Sequence, residues 1–241
     1  MNHGVEMGMN RTGMDMAPQL SDEMLENAQL PTPSGDEGAL AQMRTDYIDV
    51  AEPLGSVPPP LSLKGAATAA MEMLKGHRPE VLLDKLSERL AFERTAVRLY
   101  DALIQKCLAV SPHADIPPLE ELRAFRDEEA RHLELVAAAV RGLGADPTTV
   151  SPCADTAAVS AMGVVQVLSD PRTTVAQCLQ ALLTAEAADN DGWLLLIKLA
   201  DVLGLEDLVE QFQGALHHED KHLEHVRLWL SEMVINEAMV I

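Results

Sequence analysis

Two near-copies of one short motif are the residues of this sequence best suited to chemistry. Each reads Glu-x-x-His-Leu-Glu-x-Val, with its first glutamate and its histidine at Glu129 and His132 in one copy and at Glu219 and His222 in the other. On an α-helix, residues three positions apart lie on one face, so each motif directs a carboxylate and an imidazole at one point. Buried carboxylates without a counter-charge would be driven to bind protons. The pattern therefore predicts either exposed faces or a cation between the motifs.

A further glutamate lies on the apolar stripe of the helical pattern that precedes each motif. Glu93 shares its stripe with leucine, valine, tyrosine and isoleucine residues at helical spacing, and Glu186 shares its stripe with leucine, tryptophan and isoleucine residues. The separation of Glu93 from Glu129 is close to that of Glu186 from Glu219. Each half is therefore predicted to form a helical hairpin, and the halves look like a diverged internal repeat.

The composition indicates an ordinary globular chain built from helices. Of the 241 residues, 47% are hydrophobic and 23% charged, but only 3% are aromatic. Strands draw on aromatic and β-branched residues, so this composition favours closely packed helices over a β-sandwich. No apolar run approaches the roughly 20 residues of a membrane span, and no membrane partner is expected.

The formal net charge of −20 argues against a nucleic-acid partner, whose phosphates would be repelled. The same charge either concentrates metal cations near the surface or only aids solubility, and the two interpretations stay open. The cysteines Cys107, Cys153 and Cys178 form no Cys-x-x-Cys pair and cannot all pair with one another. This usage suits a reducing compartment and, without a secretory signal at the start, a cytoplasmic location is expected.

The N-terminal part has a different composition. Residues 1–63 are predicted to form a Met- and Pro-rich arm that is largely irregular, with one short helix near residues 39–48. Its first 20 residues combine His3 with several methionines, which permits a weak Cu(I) site, although a disordered tail is the favoured interpretation. The segment 64–78 is predicted to hold a short helix, over residues 65–75, that is ended by Gly76.

Residues 79–241 are predicted to form four long helices. Proline and glycine signals place these helices at about 79–110, 119–141, 173–203 and 206–236. The links within each pair are short, whereas residues 143–171 between the pairs are long enough to run the length of a bundle. The sequence thus predicts an all-α fold, a four-helix bundle with one long crossover connection.

The glutamates and histidines on these helices resemble the ligands of the ferritin-like superfamily of di-metal carboxylate proteins, in the style of rubrerythrins and bacterioferritins. The resemblance covers residues 79–236. It implies six metal ligands: Glu93, Glu129, His132, Glu186, Glu219 and His222. Glu129 and Glu219 would bridge two metals, Glu93 and Glu186 would be terminal ligands, and each histidine would bind one metal. Two iron ions fit this oxygen-rich set, with two manganese ions or a mixed pair as alternatives.

The resemblance implies a di-iron protein that reacts with O₂ or peroxide, of ferroxidase or peroxidase type. The chain lacks the Cys-x-x-Cys pairs of a rubredoxin domain, so its electron donor would be a separate protein, and its long arm sets it apart from cage-forming ferritins. Three alternatives stay open: a dimanganese catalase-like enzyme, an oxygenase acting on an organic substrate, and a non-catalytic structural or interaction module stapled by metal. A homo-oligomer, a dimer or larger, is also expected, with the arm clasping a second subunit.

Several neighbours of the predicted ligands allow two interpretations. Asp189 either accepts the second N–H of a ligating histidine or is solvated. Tyr100 and Trp193, each seven residues after a stripe glutamate, are expected to be core residues and not redox relays. His218 and His225 are expected to be exposed, with an added ligand or entry-path role as the alternative.

Overall fold

A computed structural model describes residues 17–30, 37–60, 62–74, 76, 78–110 and 116–239. Within these ranges the protein contains eight α-helices and no strand, which confirms the all-α class. The helices are α1 (Pro18–Gln29), α2 (Glu37–Val50), α3 (Leu63–Leu74), α4 (Pro79–Ala109), α5 (Leu119–Gly142), α6 (Pro152–Ser169), α7 (Val175–Val202) and α8 (Glu206–Met239). None of the helices in the described ranges combines the length and the apolar character that crossing a membrane requires.

The four long helices, α4, α5, α7 and α8, begin and end close to the predicted residues because local signals fix their termini. Pro79 occupies the first turn of α4, where its missing N–H costs nothing. Thr174 and Gln177 form a capping box at the start of α7. Gly144 and Gly204 follow α5 and α7 with φ of +82° and +68°, a conformation that stops a helix at little cost only for glycine.

The long helices pack as a closed ring. Helix α4 contacts α5 and α7, and α8 contacts α7 and α5. Two apolar clusters form the core, one containing Leu103 and Leu179, the other Leu86 and Leu196. On every long helix the glutamates and histidines of interest lie in sequence between residues of the two clusters. The ring therefore encloses a polar layer between two apolar ones.

The connection between the two hairpins carries a helix of its own. Helix α6 begins at Pro152 after the N-cap Ser151, and it packs against α4 and α7. The sequence predicts only a short apolar segment in this connection. Alanine and valine at helical spacing extend that segment into five turns.

The described residues divide into two compact units, one among residues 17–54 and the other among residues 55–239. In the first unit, α1 and α2 bury no residue. The described part of residues 1–63 is more helical than the predicted, largely irregular arm: α2 corresponds to the short helix expected near residues 39–48, whereas α1, which begins at Pro18, was not expected. A proline in the first turn, such as Pro18, begins a helix instead of keeping the segment extended. The Met-rich residues 1–16, with the possible Cu(I) site, lie outside the described residues.

Candidate metal centre

The six predicted ligands converge in the polar layer and are all buried. Their exposures are 0% for Glu93, Glu129, Glu219 and His222, 2% for Glu186 and 3% for His132. They form two groups, each with its candidate ligand atoms within 4.8 Å of one another. The Glu93 group consists of Glu93, Glu129, His132 and Glu219, and the Glu186 group of Glu129, Glu186, Glu219 and His222. Glu129 and Glu219 belong to both groups, so these residues could hold two neighbouring metal ions.

Both histidines turn Nδ1 towards carboxylates of the centre, and each lies against the glutamate of the other motif. His132 Nδ1 is 2.6 Å from Glu219 Oε1. His222 Nδ1 is 3.1 Å from Glu129 Oε1 and 3.2 Å from Glu219 Oε2. Two atoms that bind one ion at about 2.1 Å lie about 3 Å apart. The separations therefore suit atoms that share a metal ion.

Many of the buried polar atoms of the centre have no hydrogen-bond partner among the described residues. They are both carboxylate oxygens of Glu93 and of Glu219, one oxygen each of Glu129 and Glu186, and His132 Nδ1. His132 Nδ1 is close to Glu219 Oε1 but is not aligned with it for a hydrogen bond. A buried polar atom left unpaired costs about 1–3 kcal/mol, and more when it is charged. A cation contacting these atoms would remove that cost, so the residues fit a di-metal centre.

The charge of the layer leads to the same conclusion. The four ligand carboxylates and the buried Asp189 are opposed by one buried arginine, Arg89. When all are ionised the sum is four negative charges, which two divalent cations would balance. A neutral assembly of this kind is far less costly to bury than a bare cluster of carboxylates.

The pKa values show what the layer does without metal. Burial raises the pKa of Glu93 and of Glu129 well above the usual range. Burial and then repulsion by Glu219 raise the pKa of Glu186 to about 7. Burial acts in the same direction on Glu219, but contacts with His132 and His222 outweigh it and lower its pKa to about 2. The metal-free centre thus retains protons near neutral pH, and metal binding should release them.

Glu128, which the sequence interpretation missed, and His218, which it expected to be exposed, contact the outer nitrogens of the histidines. His222 Nε2 lies 2.8 Å from Glu128 Oε2, and His132 Nε2 lies 3.2 Å from His218 Nδ1. The expectation that His218 is exposed was wrong, because its ring is half-buried and stacks on that of His132. Glu128 and His218 each precede the first glutamate of a motif, so their equivalent places in the repeat were the available signal. Such partners orient the imidazole and fix which nitrogen is free to bind metal.

Asp189 is buried, as one of its two interpretations requires, but its partner is an arginine and not a histidine. Arg89 Nη1 donates to Asp189 Oδ1 at 2.5 Å and to its main-chain oxygen at 2.8 Å. The guanidinium also lies 3.2 Å from Glu93 through Nε and 4.3 Å from the ring centre of Phe92. A Cβ at Gly192 would come within 2.5 Å of Nη1, so glycine leaves the space that the arginine fills. A buried arginine was not predicted at this place, since arginines usually face solvent.

Tyr100 and Trp193 are core residues, as expected, and Tyr100 also holds a ligand. The hydroxyl of the fully buried Tyr100 donates to Glu186 Oε1 at 2.7 Å. Trp193 places its ring edge-on to His132, with 5.6 Å between ring centres. His225 is half-buried and not exposed. Tyr100 therefore fixes one oxygen of Glu186 and leaves the other free for metal.

Replacing Glu128 by glutamine is expected to weaken metal binding about 10- to 100-fold, because the carboxylate that orients His222 and strengthens it as a ligand is lost. The measurement is a Mn(II) titration followed by electron paramagnetic resonance of the free ion. Asp127→Asn, at an exposed neighbouring position, is the matched control and should bind as wild type. Equal affinities of the two variants would show that Glu128 does not support the centre.

Comparison of the chain with protein-family models, with curated proteins and with solved structures finds no match. The resemblance to the ferritin-like superfamily therefore rests on the ligand pattern and the order of the helices.

Proposed function

We propose that this chain is a ferritin-like di-iron protein that binds two metal ions between α4, α5, α7 and α8 and reacts with O₂ or peroxide, as a ferroxidase or a peroxidase. One observation carries the proposal. Two buried groups of ligands share Glu129 and Glu219, each adds a glutamate and a histidine of its own, and oxygens of every one of these glutamates lack a hydrogen-bond partner. A coincidental cluster of surface charges would be hydrated and would not have this form.

The donor types favour iron or manganese. Carboxylate oxygens with two imidazoles, and no thiolate in either group, suit these ions better than structural zinc, which draws on cysteine. A bound pair of Fe(II) ions would supply two electrons together, enough to reduce one H₂O₂ to two molecules of water with the uptake of two protons, each iron becoming Fe(III). A dimanganese catalase-like activity is the alternative that the same ligands permit.

The protein's own residues supply position, charge and exclusion of water. Tyr100 fixes Glu186, and Glu128 and His218 fix the two imidazoles. The apolar clusters on either side keep bulk water from the layer. Electrostatic interactions in such a water-poor layer are stronger than in solvent, which favours retention of divalent ions.

The test is anaerobic loading with Fe(II), elemental analysis, and then mixing with O₂ or with H₂O₂ while absorbance and oxidant consumption are followed. We expect about two irons per chain and oxidation at least about tenfold faster than in Glu219→Gln, whose ligand set is broken. The faster oxidant distinguishes ferroxidase from peroxidase.

The opposite results are equally informative. Two bound irons that oxidise no faster than in Glu219→Gln would mean that the metal only staples the helices, the non-catalytic alternative. Loss of metal would then unfold the protein without loss of an activity. Absence of stoichiometric metal from the wild type would refute the centre altogether, and activity only after Mn(II) loading would favour the catalase-like alternative.

A further inference from the structure

We propose that the two metal positions are unequal: the Glu186 group binds its ion tightly and the Glu93 group binds its ion weakly, so the centre fills in a fixed order. The inference rests on the metal-binding part of the proposed function and requires no particular reaction. Glu129 and Glu219 are common to both groups, and each group adds one glutamate and one histidine. Any inequality must therefore come from what surrounds those added residues.

The first difference lies beside the terminal glutamates. Glu93 is 3.2 Å from the guanidinium of Arg89, which remains positively charged at any ordinary pH. Glu186 instead accepts a hydrogen bond from the neutral hydroxyl of Tyr100. A fixed positive charge next to one ligand repels a cation at that ligand and competes for its negative charge. Tyr100 does neither.

Arg89 cannot readily move aside. It is 4% exposed, two bonds tie it to Asp189 on α7, and it packs on Phe92. The absence of a side chain at Gly192 creates its place. Asp189 neutralises Arg89 at long range, but the guanidinium lies in direct contact with Glu93, so its effect is concentrated on the Glu93 group.

The second difference lies at the outer nitrogens of the histidines, and it acts in the same direction. His222, in the Glu186 group, has the carboxylate of Glu128 at 2.8 Å. His132, in the Glu93 group, has only the imidazole of His218 at 3.2 Å. A carboxylate that accepts the outer N–H raises the basicity of the inner nitrogen more than a neutral imidazole does, and it strengthens the metal bond. Two independent features thus favour the Glu186 group.

A matched pair of variants separates the two positions. Glu93→Gln disables one group and Glu186→Gln the other, while both retain the shared glutamates and each loses one buried charge. Mn(II) alone is titrated anaerobically into each variant, and the free ion is followed by electron paramagnetic resonance. We expect each to retain one ion, bound at least about tenfold more tightly in Glu93→Gln than in Glu186→Gln. Equal affinities, or tighter binding in Glu186→Gln, would overturn the inference.

A second measurement tests the role of Arg89. Adding Arg89→Gln with Asp189→Asn to Glu186→Gln removes one charge of each sign. The affinity of the remaining Glu93 group for Mn(II) should then rise several-fold. A merely structural role for Arg89 predicts an unchanged or lower affinity, and that result would remove Arg89 from the explanation.

A wild-type protein that binds no Mn(II) and no Fe(II) would refute the proposed function, whereas two ions in the wild type with equal affinities in the two single variants would overturn only the inequality.

Discussion

Replacing Glu219 by glutamine is expected to remove both metal ions, not one. Glu219 offers an oxygen to each histidine, at 2.6 Å to His132 and 3.2 Å to His222, and it belongs to both ligand groups. Loss of partners that only orient a ligand costs about 10- to 100-fold in affinity, so loss of a shared ligand should cost at least as much at both positions. Elemental analysis after anaerobic loading and desalting should fall from about two ions per chain to less than one.

Glu224→Gln is the matched control, because Glu224 lies on the same helix but is exposed. This variant should load as the wild type does. Glu93→Gln should keep one ion, which distinguishes loss of a shared ligand from loss of a terminal one. If Glu219→Gln keeps two ions, the two groups do not share this carboxylate and the di-metal interpretation fails.

The metal-free protein is expected to lose stability as the pH rises from 5 to 6.5. Burial raises the pKa of Glu186 from 4.5 to about 7, so in this range the folded protein holds a proton that the unfolded chain has released. A raised folded-state pKa stabilises the fold fully below the unfolded value, and the stabilisation is lost as the pH climbs towards the folded value. Glu186 alone should lower the free energy of unfolding by about 2 kcal/mol over this range.

Other buried groups do not reverse the sign. The pKa values of Glu93 and Glu129 are also raised, by burial first, and they add to the trend. Glu219, whose pKa is lowered to about 2, contributes stability that is lost only as the pH falls below its unfolded value. Its contribution is therefore nearly constant between pH 5 and 6.5.

Denaturant unfolding of chelated and of Mn(II)-loaded protein at pH 5, 5.75 and 6.5 tests this expectation. The loaded protein should gain stability with pH, because protons and metal compete for the same oxygens. Glu186→Gln carries no proton at this position to lose and should show a smaller slope when chelated. A chelated wild type whose stability increases over this range would show that the carboxylates are hydrated and ionised.

Helical spacing was sufficient to predict that these four glutamates and two histidines share the inner faces of four helices, while their assignment as metal ligands came from the resemblance. A glutamate and a histidine three residues apart must share a face, and Glu93 and Glu186 lie on stripes that must face the core, so few arrangements could keep them separate. The termini of α4 and α7 were predictable because proline and glycine act locally.

The residues around the ligands could not be predicted in this way. Arg89 meets Asp189, and Tyr100 meets Glu186, across two helices whose relative rotation no local pattern specifies. Glu128 lies in a run of charged residues, and only the packing of α8 against α5 places His222 beside it. Helix α1 was not predicted, because prolines flank it in the sequence and proline favours an irregular segment, whereas α2 coincides with the short helix expected near residues 39–48.

The crossed contacts of the two motifs give the centre an approximate two-fold axis. The Glu-x-x-His of α5 is completed by a glutamate of α8, and that of α8 by a glutamate of α5. Each hairpin therefore carries three of the four candidate ligands of one group, and neither hairpin carries a complete group. Two copies of a single hairpin, related by the same axis, would present the same six ligand types. Because α6 joins the two hairpins in one chain, the surroundings of the two groups can differ. Arg89 and His218 lie beside the Glu93 group, and Tyr100 and Glu128 lie beside the Glu186 group. A symmetric pair of identical hairpins could not have this difference.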